Sequence, residues 1–340
     1  MRKWNAYLTA LCLLVITCLV GPTPVSAETV ELKLAHFMPT MHVQHLKAFE
    51  PFAKKVAEAS GGEVTVKIYP GGTLGNPKTM VDAISTGITD IGFVLPSYIP
   101  GRFRASSVTD LPYIFNSAEH MAKVVYDQYD KHFAQDYKQF KVLWILAAPL
   151  SQVFTVEKPI MTAEDFKGMK IRSGNSLESD SLKKWGASPV GMPVSELSIS
   201  MQKGVVDGAL TAYSALKSHK LIDVISHMTE LNFSGALMVV LMNKKKWDSL
   251  PADAQTAIES VANQEFGLMA ARAFDDEDKE ILALAKSKGI AYHQLSPAEK
   301  EKLRLAVKDT WEAWVKDHSK RGMQGQEILD DTVAAAKRLQ

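Results

Sequence analysis

The sequence predicts an α/β protein folded as two lobes, on three observations. Residues 30–95 alternate strand and helix patterns in a βαβαβ order, which implies a sheet with parallel pairs and helices on its faces. The 340-residue chain is longer than one hydrophobic core normally requires. A helical stretch from 252 to about 287 is long enough to span two domains.

The elements follow in order. Residues 30–34 alternate apolar and polar. A helix then places Val43, Leu46, Phe49, Phe52 and Val56 on one face and stops at Gly61-Gly62. Val64, Val66 and Ile68 mark a second strand, and Asn76-Pro77 opens a helix that runs to Gly87. Residues 91–95 form a fully apolar third strand, and 142–147 a further buried one. Pro149 marks a crossing into the second lobe, where 152–156, 170–172, 188–190 and 205–210 read as strands. Residues 223–234 return toward the first lobe, and 243–251 form a charged surface turn before the long helix. Ser296-Pro297-Ala298-Glu299 is a capping box that starts a helix to about 320. The expected division is 28–149 plus about 236–275 for lobe I and 150–235 plus about 276–322 for lobe II. Residues 323–340 add a C-terminal helical segment. Several chain crossings between lobes form a hinge and favour closure of a cleft.

The N-terminus carries Arg2 and Lys3, an apolar run from 6 to 20, and Val25-Ser26-Ala27 before Glu28. This is the pattern of a cleavable secretory signal peptide over 1–27 and places the protein in the periplasm. The run is too short, and too closely followed by Gly21, Pro22 and Pro24, for a membrane anchor. Lipidation at Cys18 ranks below cleavage because Thr17 is a poor residue before a lipidated cysteine. Both cysteines, Cys12 and Cys18, lie in the leader, which excludes thiol chemistry from the mature chain. Losing Arg2 and Lys3 takes Lys+Arg from 39 to 37 against 38 acidic residues, a mature charge near −1 and no basic field for nucleic acid.

Within lobe II, Arg172 closes a short apolar strand, and Gly174-Asn175-Ser176 turns into a helix. A guanidinium fixed beside a helix N-terminus is a place for an anion, and a carboxylate would take two parallel hydrogen bonds from it. A surface salt bridge is the plainer alternative. The motifs FKGMKIR at 166–172, GASPV at 186–190, MPVSE at 192–196 and GVVDG at 204–208 occur in an order and spacing that resembles the substrate-binding proteins of tripartite ATP-independent periplasmic (TRAP) transporters, the DctP family. YPGGTLG at 69–75 and NKKKWDSLP at 243–251 extend the similarity over nearly all of the mature chain.

The resemblance implies a periplasmic binding protein of the Venus-flytrap type, with a long helix spanning both lobes. It also implies a monomer that captures a small organic acid and delivers it to TRAP membrane permease subunits, with no cofactor. Arg172 matches the arginine that grips the ligand carboxylate, and Asn175 a polar contact of the same loop. Gln152 falls where several relatives have a second arginine, Thr211 where many have asparagine, and Tyr213 where some have tryptophan. Val194 stands where an aromatic often lines the cleft, and Phe37 is placed to give an apolar wall from lobe I. A neutral Gln152 and added apolar surface favour a monocarboxylate or aromatic acid over a C4-dicarboxylate, unless Arg102 or Arg104 supplies a second cation. The alternative is a periplasmic lyase or isomerase acting on an organic acid.

Other candidate chemistry is weaker. His36, His42 and His45 cluster in sequence, but His42-x-x-His45 matches no zinc motif and no carboxylate completes one, so no metal site is expected. Asp207 reads as a turn carboxylate and not as a general base. The glycines at 71–75 fit no phosphate-binding loop and read as turn chemistry. No paired acid and base suggests catalysis.

Overall fold

A computed structural model describes residues 29–340. The expected signal peptide and its cleavage site therefore lie outside the described residues. Two sheets organise the chain. The first has the order β2-β1-β3-β10-β4, and the second β11-β9-β5-β8-β6-β7.

The first sheet is built from β1 (Val30–Ala35), β2 (Val64–Tyr69), β3 (Ile91–Val94), β4 (Phe140–Ala148) and β10 (Ala236–Asn243). β1 runs parallel to β2 and β3, and β10 lies antiparallel between β3 and β4. The second sheet contains β5 (Gln152–Thr155), β6 (Lys170–Ser173), β7 (Ser188–Gly191), β8 (Gly208–Thr211), β9 (His227–Glu230) and β11 (Ala291–Gln294). Period-two alternation splits its two faces between separate cores. Val153 and Leu210 join Phe166, Ile171 and Trp185 on one side. Phe154 and Ala209 join Leu197, Leu216 and Ile281 on the other.

Several expected elements shift for identifiable reasons. The first helix begins with a π-turn, His45–Phe49, before the regular helix Glu50–Ala59. The wider turn rotates Leu46 off the apolar face. It is 40% exposed, whereas Phe49, Phe52 and Val56 are fully buried. Asn76 does not cap a helix; its Oδ1 accepts the N–H groups of Lys78 and Thr79 in a tight turn. The helix starts only at Met80 and closes at a left-handed Gly87. The segment 243–251 is a short helix, Lys244–Asp248, capped by Asn243.

The long helical stretch breaks after Val261. Ala262 ends the helix Ala252–Val261, and Asn263 caps the next by accepting the Phe266 N–H. The following 24-residue helix, Gln264–Ser287, joins the lobes. Phe266, Ala270 and Phe274 lie in the first core, and Ile281 and Ala285 in the second. The expected C-terminal helix also divides, into Pro297–Ala306 and Thr310–Lys320. Ser296 caps the first of these. Glu299 does not complete the box, because its carboxylate accepts the Ala163 N–H. Leu303 and Val307 pack in lobe II, but Trp314 returns to the lobe I core together with Ile328 and Leu329. A lobe II span reaching 322 is therefore too long.

The two connecting segments that cross between lobes are tied together. Ser151 N donates to Ser234 O at 2.7 Å, and Phe233 N donates to Ser151 O at 3.0 Å. Gly235 beside them has no room for a side chain, since a Cβ would meet Met121 Cε at 2.6 Å and Ala148 O at 2.9 Å. No helix of the described residues is long and apolar enough to cross a membrane.

Candidate functional site

The strand, turn and helix around Arg172 place its guanidinium in a cavity between the lobes. The side chain is 4% exposed and held by three bonds: Nε to Met192 O at 2.9 Å, Nη1 to Leu210 O at 2.9 Å and Nη2 to Tyr98 Oη at 3.1 Å. A guanidinium has five N–H groups, so each terminal nitrogen retains one further donor that an anion could take. Gly174 lies against this group. A Cβ there would stand 3.2 and 3.3 Å from the two terminal nitrogens and 3.3 Å from Glu178 Oε2. The glycine thus makes room for charge and not for a special backbone angle.

Tyr98, on the loop after β3, reaches across from lobe I. Its hydroxyl oxygen accepts from Arg172 and, at 3.2 Å, from the backbone N–H of Val194. The cavity it helps to close has a volume of about 80 Å³. Lobe I contributes Met38, His42, Leu95, Met238 and Phe274 to the walls, and lobe II contributes Asn175, Glu178, Thr211, Ser214 and His219.

Four of the expected site residues meet here: Arg172, Asn175, Val194 and Thr211. Asn175 has a structural duty as well, since its Oδ1 caps the helix Ser176–Lys184 by accepting the Glu178 N–H at 2.8 Å. The other three do not line the cavity. Gln152 spends its amide on the crossing segment: Nε2 donates to Leu150 O and Asn232 Oδ1, while Oε1 accepts from the N–H groups of Leu231 and Asn232. Tyr213 packs edge-on against Phe154, because β8 ends at Thr211 and the helical turn that follows breaks the two-residue alternation. Phe37 is buried in lobe I, stacked on Phe93 and tilted against Tyr98, and its neighbour Met38 forms the wall instead.

The ionisable groups around Arg172 are strongly perturbed. Burial, and then the Arg172 charge, lower His219 to about 4. Burial also holds His42 well below the usual histidine range, with nearby His219 adding to the effect. Both rings are neutral at ordinary pH. His42 Nδ1 accepts the Gln44 N–H at 3.1 Å, which puts its proton on Nε2. Glu178 is 5% exposed, and burial raises its pKa although Arg172 opposes the shift. His36 and His45 bond one another at 2.9 Å, and His36 is lowered to about 3 by burial and by His45. Arg102 pairs with Asp82 at 2.8 Å. Arg104 lines an outer groove that shares only Ser97 and Asn175 with the cavity. Arg172 is the only Arg or Lys among the lining residues. Asp207 bonds the Lys170 N–H, the turn role its position suggests.

Sequence reading missed Tyr98, Glu178 and His219, and weighed His42 only as a metal ligand. Tyr98 follows a strand end where ligand-binding loops gather, which is a usable signal. Glu178 stands three residues after Asn175, a spacing that reads as helix capping. His219 lies in no pattern.

Two hinged α/β lobes with a buried arginine in the intervening cavity define the class of two-lobed solute-binding proteins. The chain belongs to the bacterial extracellular solute-binding proteins of family 7, the DctP family, whose profile it matches over residues 34–317. It is 27% identical over 300 residues to the C4-dicarboxylate-binding periplasmic protein DctP of Rhodobacter capsulatus, covering 84% of this chain and 89% of that one. A TRAP solute-binding protein from a marine metagenome, specific for aromatic acid ligands and solved with metahydroxyphenylacetate, superposes with a TM-score of 0.88. It is 29% identical, covering 91% of this chain and 99% of that one. A TRAP solute-binding protein from Rhodoferax ferrireducens, solved with copurified benzoate, gives a TM-score of 0.88 at 26% identity, covering 92% and 98%. The chain is a ligand-binding carrier of the TRAP type.

Proposed function

We propose that the protein captures a monocarboxylate with an aromatic or hydroxylated body, its carboxylate on Arg172 and its body against Met38, Met238 and Phe274. The observation that carries this reading is the single cation in the cavity. A second carboxylate would meet neutral imidazoles and Glu178, and a buried anion without a partner is strongly disfavoured. Ligand hydroxyls, in contrast, suit His42 Nε2–H and the Ser214 and Thr211 hydroxyls. The relatives that hold benzoate and a hydroxyphenylacetate support the same class, whereas the dicarboxylate-binding relative supports the competing one. The cavity is smaller than the roughly 150 Å³ that accepts a benzene, so an aromatic ligand requires the lobes to part slightly.

In this reading the protein is a periplasmic monomer, exported by a leader cleaved before Glu28, that hands its ligand to TRAP permease subunits. It is not an enzyme. The titratable Glu178, His42 and His219 in the cavity are what would favour a lyase or isomerase, and conversion of a bound acid by purified protein would establish one. A thermal-shift panel tests the ligand class. Benzoate, 3-hydroxybenzoate, mandelate or lactate should raise the melting temperature, and stabilisation by succinate, malate and fumarate alone would overturn the reading.

A further inference from the structure

Glu178 is placed unlike an ordinary capping residue. Its position, three residues after the cap Asn175, suits it to bond the N–H of Asn175. Its Oε2 instead accepts the Gly174 N–H at 2.6 Å, and its Oε1 accepts from Ser151 Oγ at 3.2 Å. The carboxylate therefore stands beside the guanidinium of Arg172, both against the face of Gly174, without forming an ion pair with it. A ligand carboxylate on Arg172 would become the second negative charge at this spot.

We propose that Glu178 is the resident counter-charge of Arg172 and takes up a proton when a carboxylate ligand binds. This rests on the reading of the cavity as a carboxylate site. The groups facing Glu178 are Arg172 on β6, Asn175 and Ser151, and, from lobe I, Asp110 at the end of the segment Ala105–Asp110. Farther round the cavity lie the neutral His42 and His219. Asp110 is itself buried and, through burial and then Glu178, pushed well above the usual carboxylate range. Asp110 and the two neutral imidazoles, His219 and His42, are the competing acceptors for the proton.

The direction of the effect follows from linkage. Burial already raises Glu178 above its ordinary value, and a neighbouring ligand anion raises it further. Below both values the group is protonated with or without ligand, and binding is independent of pH. Between them, binding draws in a proton, and affinity falls as pH rises by up to about tenfold per unit. Ligand would therefore be held more tightly on the acidic side of that window. Glu178→Gln keeps an oxygen for the Gly174 N–H and removes the charge.

Calorimetry on the mature chain with benzoate, from pH 6 to 8.5 in buffers of different ionisation enthalpy, tests this. Wild type should take up between zero and one proton and lose affinity with rising pH. Glu178→Gln should bind more tightly at pH 8 and lose both effects, whereas Asp110→Asn should keep them. Should Glu178→Gln not fold, wild-type uptake retained in each of Asp110→Asn, His219→Gln and His42→Gln supports the assignment, and its loss in any one of them overturns it. Constant affinity with no uptake in wild type, or uptake surviving in Glu178→Gln, overturns it while leaving the carboxylate site intact. If benzoate, 3-hydroxybenzoate, mandelate, lactate and succinate all fail to bind, the site reading falls and this inference with it.

Discussion

The two walls of the cavity are made differently. Lobe II supplies the charge and its support: Arg172 is pinned by Met192 O and Leu210 O, laid over Gly174 and flanked by Glu178 and the capped helix that follows. Lobe I supplies mostly shape, through Met38, Leu95, Met238 and Phe274, and reaches the charge through one hydroxyl, that of Tyr98. The difference teaches a division of labour. In the proposed site lobe II would hold the anion in either arrangement of the lobes, whereas the lobe I contacts would form only when the lobes approach. A ligand that bridges both walls stabilises the closed arrangement in proportion to its differential contacts.

Substitutions can break this comparison, beginning with the largest effect. Arg172→Ala should cost about 3 kcal/mol or more of ligand affinity, because a buried, multiply bonded charge is lost from one partner of the pair. Arg172→Lys should rescue little, since an ammonium cannot present the planar fork. Gly174→Ala should cost about 1–3 kcal/mol by forcing the guanidinium and Glu178 apart, again with the lobe I wall untouched. Tyr98→Phe removes the cross-lobe acceptor and keeps the ring. It should weaken binding by only about 0.5–1.5 kcal/mol, seen in stopped-flow as faster dissociation. If Tyr98→Phe proves as damaging as Arg172→Ala, the two walls are not divided as described.

The smallest effect on binding is expected at Gln152. Gln152→Ala leaves two backbone N–H groups, of Leu231 and Asn232, without their acceptor. It should lower stability by about 1–3 kcal/mol in chemical denaturation while ligand affinity changes little. A large loss of affinity with stability unchanged would return Gln152 to the site.

Gln152 also shows where the sequence stops being informative. The succession of strands along the chain and the Arg172 turn are legible because period and turn residues are local properties, whereas the order of strands within each sheet is not. Arg172, Asn175, Val194 and Thr211 lie on or beside those local features, and the structure brings them together. Gln152, Tyr213 and Phe37 depend on which way a side chain points after a strand ends, and one residue of slip replaces Phe37 by Met38. Leu46 fails similarly, because a π-turn has no sequence pattern comparable to the 3.6-residue stripe. Tyr98, His42 and His219 join the site across sequence separations that only the packing of two lobes closes.

A crystal structure of the protein with the acid that stabilises it most in the thermal-shift panel tests the central claim most directly. The account predicts that the ligand's carboxylate oxygens accept from Nη1 and Nη2 of Arg172, with the ligand body against Met38, Met238 and Phe274. A carboxylate found instead on Arg104 in the outer groove, or in the cavity without contact to Arg172, would contradict it.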